Sequence, residues 1–171
     1  AYMNTGSQCS GSTPCGAWTT TTPGGKAIAR RTGKKRILEM LVENGIVYGA
    51  TVNIAFPEDL IERGRTARSI PGPKFLHVFS PCPSGWRMDP SKTIEVASLA
   101  TRTGMFPLYE YRDGQYRFTK EIKNRKPVEE YLRLQGRFRH LSPEQIKRIF
   151  DSEIVRWDEV GGPAMDIELF R

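Results

Sequence analysis

At 171 residues the chain is long enough for about one domain, and its 38% apolar and 10% aromatic content is ordinary for a globular fold. No stretch approaches the roughly 18 consecutive apolar residues of a membrane span. A polar Gly/Ser/Thr run stands where a secretory leader would carry its apolar segment, so a cytoplasmic chain with no membrane partner is expected. The net charge of +7 collects in two clusters, Lys26, Arg30, Arg31, Lys34, Lys35 and Arg36, then Lys120, Lys123, Arg125 and Lys126. Such clusters are ordinarily solvated faces or docking surfaces for acidic partners. No RNA- or DNA-binding signature accompanies them, which disfavours nucleic acid.

The first 27 residues are built almost wholly from Gly, Pro, Ser, Thr and Asn, the types that set turns and offer short-range hydrogen bonds. A run of roughly 25 such residues far exceeds the usual loop of about 4–6 and is expected either to be disordered or to wrap around something. Embedded Tyr2, Ala17 and Trp18 argue for wrapping, since disordered segments generally lack aromatics. Helical spacing of Ile37, Leu38, Leu41 and Val42 predicts a helix over 34–44, with Gly45 placed as its left-handed cap. The β-branched run 46–52 predicts a buried strand, and residues 57–69 a helix with Pro57 in its first turn. Residues 75–79 read as a second buried strand, followed by a stiff loop, Ser80-Pro81-Cys82-Pro83-Ser84-Gly85-Trp86.

Asp89 as N-cap and Pro90 in first position open a helix that Gly104 ends. Residues 108–111 and 115–118 flank Arg112-Asp113-Gly114, a strong hairpin signal. Residues 128–134 and 142–157 are expected to be helical. Ser142-Pro143-Glu144-Gln145 has capping-box form, and Ile146, Ile149, Phe150, Ile154 and Trp157 make one packing stripe. Strand, helix, strand, helix with short connections predicts an α/β fold with a parallel sheet and right-handed crossovers. Ligands of such folds bind beyond the carboxyl ends of the strands, where both unusual loops would lie.

Several motifs carry nothing. Gly24-Gly25-Lys26 lacks the upstream glycine and the following Ser/Thr of a phosphate-binding loop. His77 in an apolar strand and His140 in a basic turn have no metal-ligand spacing and are expected in packing or surface roles. Cys9, Cys15 and Cys82 are three cysteines with no C-x-x-C pair, which argues against a disulfide framework. Three thiolates also cannot supply the four of an iron–sulfur site, so any cluster would need ligands from elsewhere. Cys82 alone stands out, because flanking prolines fix its backbone and present the thiol.

Taken together, Tyr2-Met3-Asn4-Thr5-Gly6-x-Gln8-x-Ser10, Thr13-Pro14-x-Gly16-Ala17-x-Thr19-Thr20-Thr21 and Pro23-x-Gly25-Lys26 resemble the thiamine-diphosphate-binding β subunit of pyruvate:ferredoxin oxidoreductase (pyruvate synthase) and its 2-oxoacid relatives. Gly72-Pro73, Pro81-Cys82-Pro83-x-Gly85-Trp86 and Thr103-Gly104-Met105-Phe106-Pro107-Leu108-Tyr109-Glu110 recur in that family in the same order. The likeness covers nearly the whole chain, and the combination is specific although no single motif is.

The resemblance implies thiamine diphosphate, Mg²⁺ and a 4Fe-4S cluster as cofactors. It further implies a three-layer parallel sheet with helices on both faces, followed by a hairpin and a helical tail. Residues 1–120 would be the C-terminal part of the thiamine-diphosphate domain, and 121–171 a helical extension. The family's Gly-Asp-Gly, its Cys-x-x-Cys and its third cluster cysteine have no counterpart in these 171 residues, so the chain is expected to be a C-terminal part, inactive alone. By position, the Ala1 carbonyl would be an Mg²⁺ ligand, and Tyr2, Asn4, Thr5 and Gly6 would line the cofactor. Asn4 would act catalytically, since a neutral amide donates to a developing oxyanion without delivering a proton to a carbanion. Cys82 would be the fourth ligand of the 4Fe-4S cluster.

The implied reaction is oxidative decarboxylation of a 2-oxoacid, with pyruvate the expected substrate. Coenzyme A takes the acyl group, ferredoxin takes the electrons, and α-, γ- and δ-type subunits are partners. The same chemistry on a branched-chain 2-oxoacid, 2-oxoglutarate or oxalate is the alternative. A basic α/β module binding nucleic acid or protein is a remoter one.

Overall fold

The computed structural model describes residues 8, 10–21 and 35–147. A short helix α1 (Ile37–Glu43) leads into strand β1 (Tyr48–Asn53), helix α2 (Pro57–Ser69) and strand β2 (Lys74–Phe79). One helical turn α3 (Pro83–Trp86), a 3-10 turn (Pro90–Lys92) and helix α4 (Thr93–Arg102) follow. Strands β3 (Leu108–Arg112) and β4 (Gln115–Lys120), helix α5 (Val128–Arg133) and a 3-10 turn (Gly136–Phe138) complete the named elements, with a further helical stretch over 143–147.

The four strands form one sheet in the order β2-β1-β3-β4. The α/β expectation holds, with a correction to the sheet. Only β1 and β2 pair in parallel, joined by α2 as crossover; β1–β3 and β3–β4 are antiparallel. The hairpin therefore extends the same sheet. Its turn has Asp113 and Gly114 both at positive φ, 54° and 76°, as a tight Asp-Gly hairpin requires. Antiparallel pairing of β1 runs only from Tyr48 to Ala50. Beyond it the Thr51 side chain continues the ladder, donating to the Pro107 carbonyl at 2.8 Å and accepting from Tyr109 N at 2.9 Å.

Alternation along β1 explains why helices cover both faces. Tyr48, Ala50 and Val52 are fully buried against Leu60, Ala67 and Ile70 on the α2 side. The intervening residues face α1 and α4: a Cβ on Gly49 would collide with Leu38, and Asn53 Nδ2 donates to the Ala97 carbonyl at 2.7 Å and to Thr101 Oγ1 at 2.9 Å. This second face holds the larger apolar cluster, centred on Trp86, Val96, Leu99, Met105, Phe106, Leu108, Tyr131, Leu132 and Phe138. Ala17 from the N-terminal ribbon and Ile146 are buried in the same cluster, which thus joins residues on both sides of position 120.

Most local signals of the sequence are realised, but β2 is not the buried strand expected over 75–79: it pairs only with β1 among the described residues, and its side chains are half-buried or exposed, Val78 at 47%. Helix α2 has the expected bounds with Pro57 at its start. The Asp89 side chain caps Ser91 N at 2.9 Å, although the first turn is 3-10 before α4 begins. Both arms of the capping box form: Ser142 N donates to Gln145 Oε1 at 2.9 Å, and Gln145 N to Ser142 Oγ at 3.3 Å. Ile146 packs as expected, while Ile149, Phe150, Ile154 and Trp157 lie outside the described residues.

Candidate functional site

Strand β2 ends at Phe79, and the chain turns through Ser80 and Pro81 to Cys82. The sequence predicts a stiff loop here; the structure makes Pro83 the first residue of α3, its fixed φ suited to that place. Trp86 N donates to the Cys82 carbonyl at 2.8 Å and Met88 N to the Pro83 carbonyl at 3.0 Å, closing the turn. Arg87 leaves it in the left-handed region, φ 55°. The Cys82 thiol is free and exposed, its closest polar neighbour being Ser84 Oγ at 3.8 Å. Trp86 beneath it is buried and packs on Phe79, ring centroids 5.8 Å apart, so the turn is fastened to the sheet end.

Behind this turn lies Arg137, only 2% exposed. Its guanidinium carbon sits 3.9 Å above the Trp86 ring centroid and 5.0 Å from that of Phe138. Its Nε and Nη2 donate to Gln135 Oε1 at 2.9 and 2.7 Å, while Gln135 Nε2 donates to the Tyr131 carbonyl at 2.7 Å. The Tyr131 side chain also hydrogen-bonds the guanidinium. Burial pushes Arg137 down to about 10, offset only in part by Tyr131 and by charge at Cys82. These acceptors are neutral, and among the described residues no carboxylate pairs with Arg137.

The polar ribbon reaches the same place. Thr13, Ala17 and Thr19 are fully buried, and Trp18 N donates to the Arg137 carbonyl at 2.8 Å. The Arg87 guanidinium stacks 4.2 Å over the Trp18 ring. Gly136 N donates to the Arg87 carbonyl at 3.1 Å, and a Cβ on Gly136 would stand 2.8 Å from that same oxygen. Only glycine allows so close an approach. Three segments far apart in sequence (ribbon, cysteine turn and residues 135–138) thus meet at one point.

Of the site residues expected from sequence, Cys82 is placed in this junction, whereas Ala1, Tyr2, Asn4, Thr5 and Gly6 lie outside the described residues, as does Cys9. Cys15 is half-buried and forms no disulfide among the described residues. His77 packs edge-on against Phe106 at 5.3 Å, in keeping with a packing role. Among the described residues, no group of three or more His, Cys, Asp or Glu side chains could hold a metal ion. Cys82 could therefore contribute one ligand of four, and its donor chemistry fits that share: an exposed thiol on a rigid turn, backed by a buried cation. Gln135, Gly136 and Arg137 escape the sequence reading because the contacts that matter are long-range and the segment 135–141 carries no periodic signal.

Three of the four residues of the second basic cluster have neighbours within the chain. Lys120 Nζ lies 4.9 Å from the Phe56 centroid, Arg125 lies against Gly104, and Lys126 pairs with Glu130 at 2.8 Å. That weakens the nucleic-acid alternative. No helix among the described residues is long and apolar enough to cross a membrane.

No family model matches the chain. It is 44% identical over 163 residues to the ketoisovalerate oxidoreductase subunit VorB of Pyrococcus horikoshii, covering 94% of this chain and 52% of that protein. It is 50% identical over 150 residues to the pyruvate synthase subunit PorB of Methanothermobacter marburgensis (87% and 52%), and 45% identical over 165 residues to PorB of Thermotoga maritima (93% and 51%). The chain is homologous to the β subunits of 2-oxoacid:ferredoxin oxidoreductases. It spans about half the length of the curated relatives it matches.

Proposed function

We propose that this chain is the C-terminal part of a 2-oxoacid:ferredoxin oxidoreductase β subunit. The overall reaction would join a 2-oxoacid and coenzyme A, releasing CO₂ and a proton, forming acyl-CoA and passing two electrons to two oxidised ferredoxins. Thiamine diphosphate with Mg²⁺ would supply the carbanion chemistry when bound, and a 4Fe-4S cluster the one-electron path. The observation that carries the reading is the junction itself: the cysteine turn and the family's Gly/Thr/Pro-rich ribbon, 60 or so residues apart, converge on residues 135–138.

Each part then has a task. The Ala1 carbonyl would hold Mg²⁺, Tyr2, Thr5 and Gly6 would line the thiamine cofactor, and Asn4 would donate a hydrogen bond to the oxyanion that develops on the substrate. The described part of the ribbon is itself anchored in the core at Thr13, Ala17 and Thr19. Cys82 would present its thiolate to the cluster, with Pro81 and Pro83 fixing its direction. Residues 1–120 would belong to the cofactor domain and 121–171 to a helical extension, with further oxidoreductase subunits completing a cytoplasmic assembly.

Pyruvate is the proposed substrate; the names of the relatives divide between pyruvate and ketoisovalerate enzymes, so the substrate is to be measured. With the complete subunit and its partners, coenzyme-A-dependent ferredoxin reduction should be faster with pyruvate than with ketoisovalerate or 2-oxoglutarate. The reverse order would reassign the substrate and leave the reaction class intact; no 2-oxoacid-dependent reduction at all would refute the class. Asn4→Ala should lower turnover more than it weakens thiamine binding, and an unchanged turnover removes Asn4 from the chemistry.

A further inference from the structure

Arg137 poses a problem that the proposed chemistry does not use. A guanidinium 2% exposed, whose acceptors are one amide oxygen and a phenol, bears a full charge that no carboxylate among the described residues balances. Buried charges are costly unless an opposite charge or a metal-bound group meets them. Two described groups of potentially opposite sign act on it, Tyr131 first and then Cys82, and both raise Arg137 against the lowering effect of burial; Tyr131 is itself buried, so Cys82 is the one of the two open to an incoming group. The geometry is also built for permanence: the guanidinium lies on the ring of Trp86, the last residue of α3, whose N–H donates to the Cys82 carbonyl at 2.8 Å; Gln135 accepts from both Nε and Nη2; and Gly136 fits under the Arg87 carbonyl.

We infer that Arg137 is the buried counter-charge of the group bound at Cys82: fixed behind the Pro81-Cys82-Pro83 turn, it stabilises the added electron of a reduced cluster and so raises its reduction potential. This rests on the reading of Cys82 as a cluster ligand. Arg137 would act as an electrostatic residue, through the charge it holds behind the turn. A unit charge held several ångströms away at an effective dielectric of about 20 is worth roughly a factor of ten or more in the reduction equilibrium.

The test is a redox titration of the cluster in the complete enzyme, followed by electron paramagnetic resonance. Arg137→Met should leave about tenfold less reduced cluster at a given poise, equivalent to ~59 mV for one electron. Arg137→Lys should restore most of the difference, which a purely structural role would not demand. Gln135→Glu places a carboxylate where the neutral amide sits, and should lower the potential with the arginine still present. If Arg137→Met does not assemble, Gln135→Glu decides alone. An unchanged potential in the deciding variant overturns the role of Arg137 and leaves Cys82 as a ligand. Wild-type iron content and cluster spectrum in Cys82→Ser would instead overturn the reading beneath it.

Discussion

Two arginines, one half-buried and one buried, divide the described part of this molecule into a region whose charges are paired and one whose charge is not. Arg63 on α2 is 11% exposed and meets Glu110 Oε2 at 2.5 Å, Asp59 at 3.7 Å and Glu62, while Tyr48 Oη donates to the same Glu110 oxygen at 2.9 Å. Burial alone would lower Arg63, yet the hydrogen bond and charge of Glu110 prevail and raise it. Arg137 is deeper, stacked on Trp86, given only neutral acceptors among the described residues, and lowered. The same side chain thus has two meanings in two settings. Around Arg63 the guanidinium charge is answered within the fold, and the cluster clamps α2 to β1 and β3. Around Arg137 no carboxylate among the described residues does so, and the charge lies behind the turn that carries an exposed thiol.

This contrast can be broken by mutation. The largest effect should follow Arg63→Met, which strands Glu110 and Asp59 in a buried site and should cost about 3–5 kcal/mol of stability. Arg137→Met in the same cofactor-free full-length protein should cost less, because methionine refills the space over Trp86 and strands no carboxylate. Denaturant unfolding of both variants gives the order, and a larger loss at Arg137 would contradict the division. Next comes Asn53→Leu. This fully buried amide makes two donor bonds and accepts from Ala55 N at 2.9 Å, all within the paired region. Near-isosteric replacement leaves that N–H stranded and should cost about 2 kcal/mol.

The smallest expected effect concerns His140, beside Trp18 at 6.3 Å between ring centroids. Burial lowers its pKa, and the Gly16 backbone offsets this only in part. The unfolded chain therefore takes up more protons than the folded one between the depressed value and the ordinary one near 6.5. Stability should be fullest above that ordinary value and decline as pH falls through it toward the folded value. His140→Phe should flatten this acid limb in unfolding free energy measured against pH, and an unaltered slope would show that His140 does not contribute.

Much of the paired region is legible in the sequence, because its determinants are local. Pro57 opens α2, Asp113-Gly114 turns the hairpin, and Ser142 with Gln145 caps the following helix; each signal lies within four residues of the structure it makes. Strand pairing is not local. Nothing in the run 46–52 tells that β3 returns antiparallel on β1, and the parallel expectation failed there for that reason. The region around Arg137 is legible only at Cys82, where two prolines mark the backbone. Arg137 looks like any charge in a basic segment until the fold sets it on Trp86, 51 positions away.

Iron content and the cluster's electron paramagnetic resonance signal in the complete enzyme carrying Cys82→Ser test the central assignment most directly. The account predicts substoichiometric iron or a converted, altered cluster signal, together with impaired electron delivery to ferredoxin, while thiamine diphosphate remains bound. Full iron, a wild-type signal and undiminished electron transfer would contradict it.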